Sequence, residues 1–220
     1  MRAWRMLPDE RTEMYTPIGL LPLDDITGRS PVGALRAFLD AQQSNGSWRQ
    51  TDLRPVVTGG GAITYPALGR KRAPLNQSPS RYRVRVEADH YIPGYRRDQD
   101  GIEFDAFPYD DNNPPQSAPG MPDPLVLMPG PTYPFPGHLL VLRGVVVDAA
   151  GAPVRDAEVS IGTTRRALSD ARGSFALATL RPIAPTAIQV DAADLRTGRV
   201  GGLAVQFPQG LVANIQIAIS

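Results

Sequence analysis

The sequence contains no cysteine, two histidines and one lysine. Without cysteine, disulfide frameworks and cysteine-based zinc or iron–sulfur sites are excluded. The two histidines, His90 and His138, fall in different halves of the chain and carry no recognisable ligand spacing. The acidic and amide side chains between Asp98 and Asn113 lack the spacing of a calcium-binding EF-hand loop. We therefore expect no metal site and no other cofactor.

Long apolar runs and a strong net charge are also missing. No run of about 20 apolar residues exists, so no membrane-spanning helix is predicted. Residues 1–15 lack the apolar centre of a secretory signal, so we expect synthesis in the cytoplasm, with any export as part of a virion or other extracellular particle. The formal net charge of +1 does not favour nucleic acid as a partner.

The motifs of common enzymes are absent as well. The chain has no Gly-x-Ser-x-Gly elbow and no evident Ser/His/Asp set. The triple glycine at 59–61 is not followed by the Gly-Lys-Ser/Thr of a phosphate-binding loop, and it is more typical of a hairpin or bulge. We expect no catalytic residues and a protein that is not an enzyme.

What the sequence does contain is a series of short strand patterns. Residues 81–87 alternate strictly, with Tyr82, Val84 and Val86 on one face and charged side chains on the other. Such alternation is typical of a strand with one buried and one solvated face. Residues 102–107 and 213–219 alternate in the same way. The chain is therefore predicted to be all-β.

The pattern is interrupted between residues 108 and 137, where ten of the 23 prolines occur. Proline lacks the backbone N–H that a helix or a central strand requires. This segment is predicted to be an extended, Pro-rich linker between two domains.

The elements on either side of this segment follow a similar order. Residues 21–39 correspond to 145–161, residues 61–65 to 173–177, and residues 82–89 to 187–193. The similarity predicts two tandem small antiparallel β-sandwiches of roughly 85 residues each. The predicted boundaries are an N-terminal tail at 1–17, the first sandwich at 18–107, the linker at 108–137 and the second sandwich at 138–220. The alternative is one elongated all-β domain.

A family resemblance rests on the stretch that reads GVVVDAAGAPVRDAEV from Gly144, followed by SDARGSF from Ser169. It resembles carboxypeptidase regulatory-like domains over residues 140–220. The resemblance implies a transthyretin-like (prealbumin-type) sandwich and a non-catalytic accessory or adhesion module. The first half resembles this family only through the weak internal repeat. The chain also lacks the C-terminal Tyr-Arg-Gly-Ser of the related hydroxyisourate hydrolases.

Two groups of side chains are candidates for binding a partner. Arg81, Arg83 and Arg85 form a row on the solvated face of one strand and could bind phosphate, an anionic glycan or an acidic protein. A solvated face with no partner is the alternative for this row. The candidate docking or stacking aromatics are Trp4, Tyr15, Trp48, Tyr91 and Tyr95, with Tyr109 as a further stacking residue.

These features favour a non-catalytic structural component of a larger assembly. Small sandwiches with strand edges suit strand addition to neighbouring subunits, which could be further copies of the chain. Modules of this kind resemble accessory parts of phage-tail-like or contractile injection particles. The alternative is a carbohydrate-binding or adhesion module, in which the aromatic side chains stack on sugar rings.

Overall fold

The computed structural model describes residues 15–70, 78–110, 112–113, 115, 120–163, 165–179, 186–207 and 214–220. The candidate docking residue Trp4 lies outside these ranges. Within them no helix has the length and apolar character needed to span a bilayer.

Sixteen strands and one four-residue 3-10 helix make up the described structure, which confirms the all-β prediction. Nine strands belong to the first half of the chain: β1 Gly19–Asp24, β2 Leu35–Gln42, β3 Trp48–Gln50, β4 Val56–Val57, β5 Ile63–Thr64, β6 Ser80–Ala88, β7 Tyr91–Pro93, β8 Ile102–Ala106 and β9 Asp123–Pro129. The 3-10 helix, Gly94–Arg97, follows β7. Seven strands belong to the second half: β10 Leu140–Asp148, β11 Glu158–Ile161, β12 Arg165–Leu168, β13 Ser174–Thr179, β14 Thr186–Asp194, β15 Arg199–Phe207 and β16 Ile215–Ile219.

The nine strands of the first half form one sheet in the order β3-β2-β6-β7-β9-β1-β5-β4, with β8 also paired to β6. The sheet curls, because residues from strands far apart in this order share one core. Leu39 and Val84 of β2 and β6 are in the same buried cluster as Leu20 and Leu127 of β1 and β9. The alternation predicted for β6 is confirmed, since Val84 and Val86 are buried while Arg83 and Arg85, which alternate with them, are on the other face.

The predicted linker at 108–137 is wrong for residues 123–129, which form β9. This strand runs parallel to β1, with Leu20 opposite Asp123 and Asp24 opposite Leu127, and antiparallel to β7. Its two prolines, at the second and last positions, leave the N–H groups of the four residues between them for the sheet ladder. Proline density therefore did not prevent pairing, because the prolines fall near the strand ends.

The second half is a β-sandwich of two facing sheets. One sheet has the order β13-β10-β16 and the other the order β12-β11-β14-β15. Side chains from both sheets meet between them in a single apolar cluster that includes Leu142, Val159, Phe175, Phe207 and Ile217.

The sheets are mixed, which corrects the prediction of purely antiparallel sandwiches. Strand β10 runs parallel to β16, and β1 runs parallel to β9. In each case many residues and several other strands separate the two partners along the chain. A hairpin turn therefore does not force the second strand to reverse direction beside the first.

Gly144 provides a test of the second sandwich. In the centre of β10, a methyl group at this position would overlap the carbonyl oxygen of Ile215 in β16 and would crowd the ring of Phe175. We expect Gly144→Ala to lower the free energy of unfolding by about 2 kcal/mol, as overpacking of a core does. Urea unfolding measures the change. Gly137→Ala, where no atom lies near the added methyl group, is the control. Equal stability of the two variants would contradict the pairing of β10 with β16.

Candidate functional site

Each arginine of the predicted row is ion-paired within the chain. Arg83 and Arg85 both bind Asp40 of β2, with N–O distances of 2.9 and 2.7 Å. Arg81 binds Glu103 of β8 at 2.8 Å. Asp40 is only 2% exposed although it lies on the outer face of the sheet, because the two arginine side chains cover it.

Two aromatic rings cover these arginines in turn. The guanidinium carbon of Arg83 lies 4.7 Å from the ring centroid of Trp48, and that of Arg85 lies 5.5 Å from the ring of Phe38. Cation–π contacts of this kind hold the guanidinium groups flat against the strands. One face of Trp48 is therefore already occupied, which leaves less of its ring for a sugar.

The cluster also sets the ionisation of Asp40. Burial alone would raise the pKa of this carboxyl, but hydrogen bonds from Arg85 and Arg83 outweigh burial and lower the pKa below its usual 3.8. The same contact with Asp40 raises the pKa of Arg85. The row is thus an internal ion-pair cluster, and binding of a partner by Arg81, Arg83 and Arg85 stays a prediction. Arg81, with 51% of its side chain exposed, is the member most open to solvent.

Most of the candidate stacking aromatics are packed inside the first half. Tyr91 and Tyr109 are buried, and the hydroxyl of Tyr95 accepts a hydrogen bond from the backbone N–H of Val86 at 2.8 Å. Tyr15 packs edge-to-face on Tyr109, with ring centroids 5.8 Å apart. The burial of Tyr91 and Tyr109 corrects the expectation that their rings are exposed, while stacking by the partly exposed Tyr95 stays a prediction. Tyr91 is the first residue of β7 and Tyr95 lies in the 3-10 helix, and the local sequence does not indicate that these elements pack against the core.

Asp24, the last residue of β1, is a polar centre that the sequence analysis missed. Its carboxylate is buried and accepts hydrogen bonds from the hydroxyls of Tyr133 at 2.7 Å and Tyr91 at 3.1 Å. It also accepts the backbone N–H of Ile26 at 2.7 Å. Burial, followed by the contact with Asp24, raises the pKa of Tyr133 well above its usual range. This cluster anchors the segment after β9 onto the end of β1.

The two halves of the chain meet through an apolar contact. Leu168 of β12 is fully buried and shares a cluster with Ile92 of β7 and with Met128 and Val126 of β9. We call these four residues the junction cluster. Residues of β9 alternate, so that Leu125 and Leu127 point into the first core while Val126 and Met128 contact the second half.

Ion pairs surround the junction cluster. Arg96 and Arg97 of the 3-10 helix bind Asp156 at 3.1 Å and Glu158 at 3.4 Å in the second half. In the opposite direction, Arg196 donates to Asp100 at 2.8 Å and to the backbone carbonyls of Arg96 and Gln99. The contact with Arg196 lowers the pKa of Asp100. These contacts fix one half against the other.

A cavity of about 250 Å³ opens beside the junction cluster. Asp25, Ile26 and Pro129 line it from the first half. Partial burial by the surrounding protein raises the pKa of Asp25, although the residue keeps solvent access, while the charges of Arg166 and Arg165 oppose that rise. From the second half the cavity is lined by Thr163, Arg165, Arg166, Ala176 and Ala178.

The described residues contain no group of three or more His, Asp or Glu side chains placed to hold a metal ion. His90 lies near Thr132, with 3.3 Å between Nδ1 and the hydroxyl oxygen.

Comparison with known proteins identifies the second half. Residues 141–218 match the model of the family described as carboxypeptidase regulatory-like domain, which confirms the resemblance seen in the sequence. The match does not extend to the first half, so the weak N-terminal repeat gains no support from it. A search of curated proteins found no match.

Several solved structures align with most of the chain at low similarity. The TIE protein of Bacillus anthracis is 11% identical, with a TM-score of 0.29, over 94% of this chain and 33% of that one. The major pilin subunit BcpA of Bacillus cereus is 8% identical, with a TM-score of 0.29, over 92% of this chain and 68% of that one. A C-terminal fragment of the pilus adhesin SpaC of Lactobacillus rhamnosus GG is 10% identical, with a TM-score of 0.21, over 92% of this chain and 95% of that one. The chain thus spans a third of the TIE protein, and these scores are too low to identify a common fold.

We expect Asp40→Asn to lower the free energy of unfolding by about 2 kcal/mol near neutral pH. This is less than the cost of breaking a fully buried ion pair, since Arg85 keeps partial solvent access. The pKa of Asp40 is lower in the folded protein than in the unfolded chain. Its contribution to the free energy of unfolding is therefore fully present at pH values above the unfolded pKa, and it is lost as the pH falls through the folded pKa. The difference between variant and wild type should therefore shrink in acid.

Urea unfolding at a series of pH values measures this difference, and Asp52→Asn, at an exposed position, is the control. A pH-independent difference between Asp40→Asn and wild type would contradict the assigned role of the carboxylate.

The junction cluster predicts an energetic coupling between the halves. A double-mutant cycle with Leu168→Ala and Met128→Ala should give a coupling of about 1 kcal/mol, because the two side chains belong to one buried cluster that crosses the junction. Urea unfolding of the four proteins supplies the values. A second cycle, of Leu168→Ala with Leu20→Ala in the first core, should be additive within about 0.5 kcal/mol. Additivity in both cycles would argue against a packed junction.

Proposed function

We propose that the protein is a non-catalytic structural subunit that assembles with further copies of itself through the end strands of its sheets. The observation that carries this proposal is where the exposed apolar side chains lie. Among the described residues, nine large apolar side chains are exposed, and six of them are on or beside β4 and β15, the end strands of two sheets. The six are Leu53, Val56, Val57, Leu195, Val200 and Leu203.

Strand β4 is one candidate surface. It pairs with β5 on one side only, and no strand of the described part of the chain pairs with its other side. Val57 is 63% exposed there, with Val56 and Leu53 exposed close by. An unpaired strand edge with apolar side chains favours addition of a strand from another molecule.

Strand β15 is the second candidate surface. It pairs with β14 along its whole length, and on its other side Val200 exchanges backbone hydrogen bonds with Ser220. No described strand pairs with that side at residues 202–207. Leu203, 37% exposed, lies within this open stretch.

The positions of these strands relative to the junction favour a repeating assembly. The halves contact each other through β9 and β12. β4 lies three strands beyond β9 in its sheet order, and β15 lies three strands beyond β12 in its own. The ion pairs of Arg96, Arg97 and Arg196 hold the halves together, so the two end strands keep a fixed relation. Contact of β4 in one copy with β15 in the next is head-to-tail and can continue along a row.

We further propose that both halves are copies of one fold. In the second half, β10 lies between β13, antiparallel, and β16, parallel. In the first half, β1 lies between β5, antiparallel, and β9, parallel. The order β12-β11-β14-β15 likewise corresponds to β3-β2-β6-β8. This correspondence supports a tandem arrangement in which β9 is the last strand of the first copy.

A narrower form of the proposal places the assembly in a phage-tail-like or contractile injection particle. It rests on the resemblance of such small sandwich modules to accessory parts of those particles. Co-purification of the protein with sheath or tube proteins from its native host would support it, and isolation free of any particle would count against it.

Single substitutions on the two end strands test the assembly. Sedimentation velocity over a range of protein concentrations should show wild type associating. Val57→Lys and Leu203→Lys should each weaken association by about tenfold or more, because a charge enters an apolar contact. Val32→Lys, at an exposed valine outside both end strands, is the matched control.

Mixing the two variants tests the head-to-tail geometry. Val57→Lys retains an intact β15 and Leu203→Lys retains an intact β4, so an equimolar mixture should form a one-to-one dimer that neither variant forms alone. A wild type that stays monomeric at all concentrations would refute self-assembly. A Val32→Lys defect as large as the others, or no dimer in the mixture, would refute the assigned surfaces.

A further inference from the structure

The cavity beside the junction cluster lies where the second sandwich is open. Strand β12 ends one of its sheets and β13 ends the other, and the first half covers the gap between them with Ile26 and Pro129. In β13, Phe175 and Leu177 point into the sandwich core, so Ala176 and Ala178 point outward. Both alanines are nonetheless buried, which shows that this outer face is covered. Their small side chains leave the space that forms the cavity.

Two neighbouring arginines of β12 line this space, and neither has an ion-pair partner among the described residues. Arg165 and Arg166 both line the cavity and are only partly exposed. No carboxylate of the described residues lies within salt-bridge distance of either guanidinium. The other junction arginines differ, because Arg96, Arg97 and Arg196 each bind a carboxylate. Arginine guanidinium groups bind oxyanions through parallel N–H···O bonds, and these two line a partly enclosed space with no carboxylate partner among the described residues.

Asp25 faces the same cavity and sets the charge balance. Its carboxylate interacts electrostatically with Arg166 and Arg165 without forming an ion pair, and its neighbour Asp24 uses its own carboxylate in the tyrosine cluster. With Asp25 ionised, the three cavity side chains carry a net charge of about +1. One positive charge therefore remains to be matched by a ligand.

We propose that this cavity binds a small oxyanion, a phosphate or a carboxylate, held by Arg165 and Arg166. The volume of about 250 Å³ is below the roughly 300–1,000 Å³ of sites for drug-sized molecules, so the ligand is small. Thr163, whose side chain carries a hydroxyl, also lines the cavity. Since the walls come from both halves, a bound anion strengthens the junction and raises the stability of the folded chain.

Isothermal titration calorimetry on the full chain tests the proposal. Inorganic phosphate and acetate are titrated separately at constant ionic strength set with sodium chloride, which distinguishes a phosphate from a carboxylate ligand. Wild type should bind at least one of them, and Arg165→Gln and Arg166→Gln should each weaken binding by about tenfold or more. Asp25→Asn should tighten binding, because it removes the opposing negative charge. Arg172→Gln, at an exposed arginine of the same half, should bind like wild type.

Absence of binding to wild type would overturn the proposal, as would equal losses in Arg172→Gln and Arg166→Gln. Weaker binding in Asp25→Asn would also overturn it. Circular dichroism checks that each variant is folded. If an arginine variant does not fold, the binding site is located instead from changes in the NMR chemical shifts of wild type on adding phosphate. Shifts at residues 25, 165–166, 176 and 178 support the site, and shifts elsewhere refute it.

Discussion

The structure depends most on the insertion of β9 into the first sheet. Its backbone joins β7 to β1, which links the β3-β2-β6-β7 part of the curled sheet to the β1-β5-β4 part. One face of the strand, with Leu125 and Leu127, completes the first core, while the other, with Val126 and Met128, packs against Leu168 of the second half. One strand of seven residues thus connects the two parts of the first sheet and supplies Val126 and Met128 to the junction cluster. Removing it from the sheet would expose both apolar surfaces at once.

Charge in this protein is used mainly inside the molecule. The arginines of β6 neutralise Asp40, and those around the junction bind carboxylates of the opposite half. Partly buried pairs of this kind fix geometry more than they add stability, because desolvation offsets much of their attraction. Arg165 and Arg166 depart from this pattern, which is why the cavity beside them stands out as a site for an anion. Six of the nine exposed large apolar side chains of the described residues lie elsewhere, on or beside β4 and β15.

A fixed junction gives these separate features a common consequence. When one half is held against the other, the two open end strands keep a constant spacing and orientation, which a repeating assembly requires. An anion bound between the halves would act on that same constraint, since its ligands come from β12 and its covering wall from the first half. Assembly and anion binding are separable, because their residues do not overlap.

The sequence alone determined the all-β class, the alternation of β6 and the carboxypeptidase regulatory-like character of residues 141–218, since each is encoded by local periodicity or a contiguous motif. It could not place β9, because proline density is a local property and pairing depends on a distant partner, β1. Nor could it predict that Arg83 and Arg85 would pair with Asp40 or that Tyr91 would be buried on Asp24. Those contacts join residues more than 40 positions apart, so only the tertiary structure decided them.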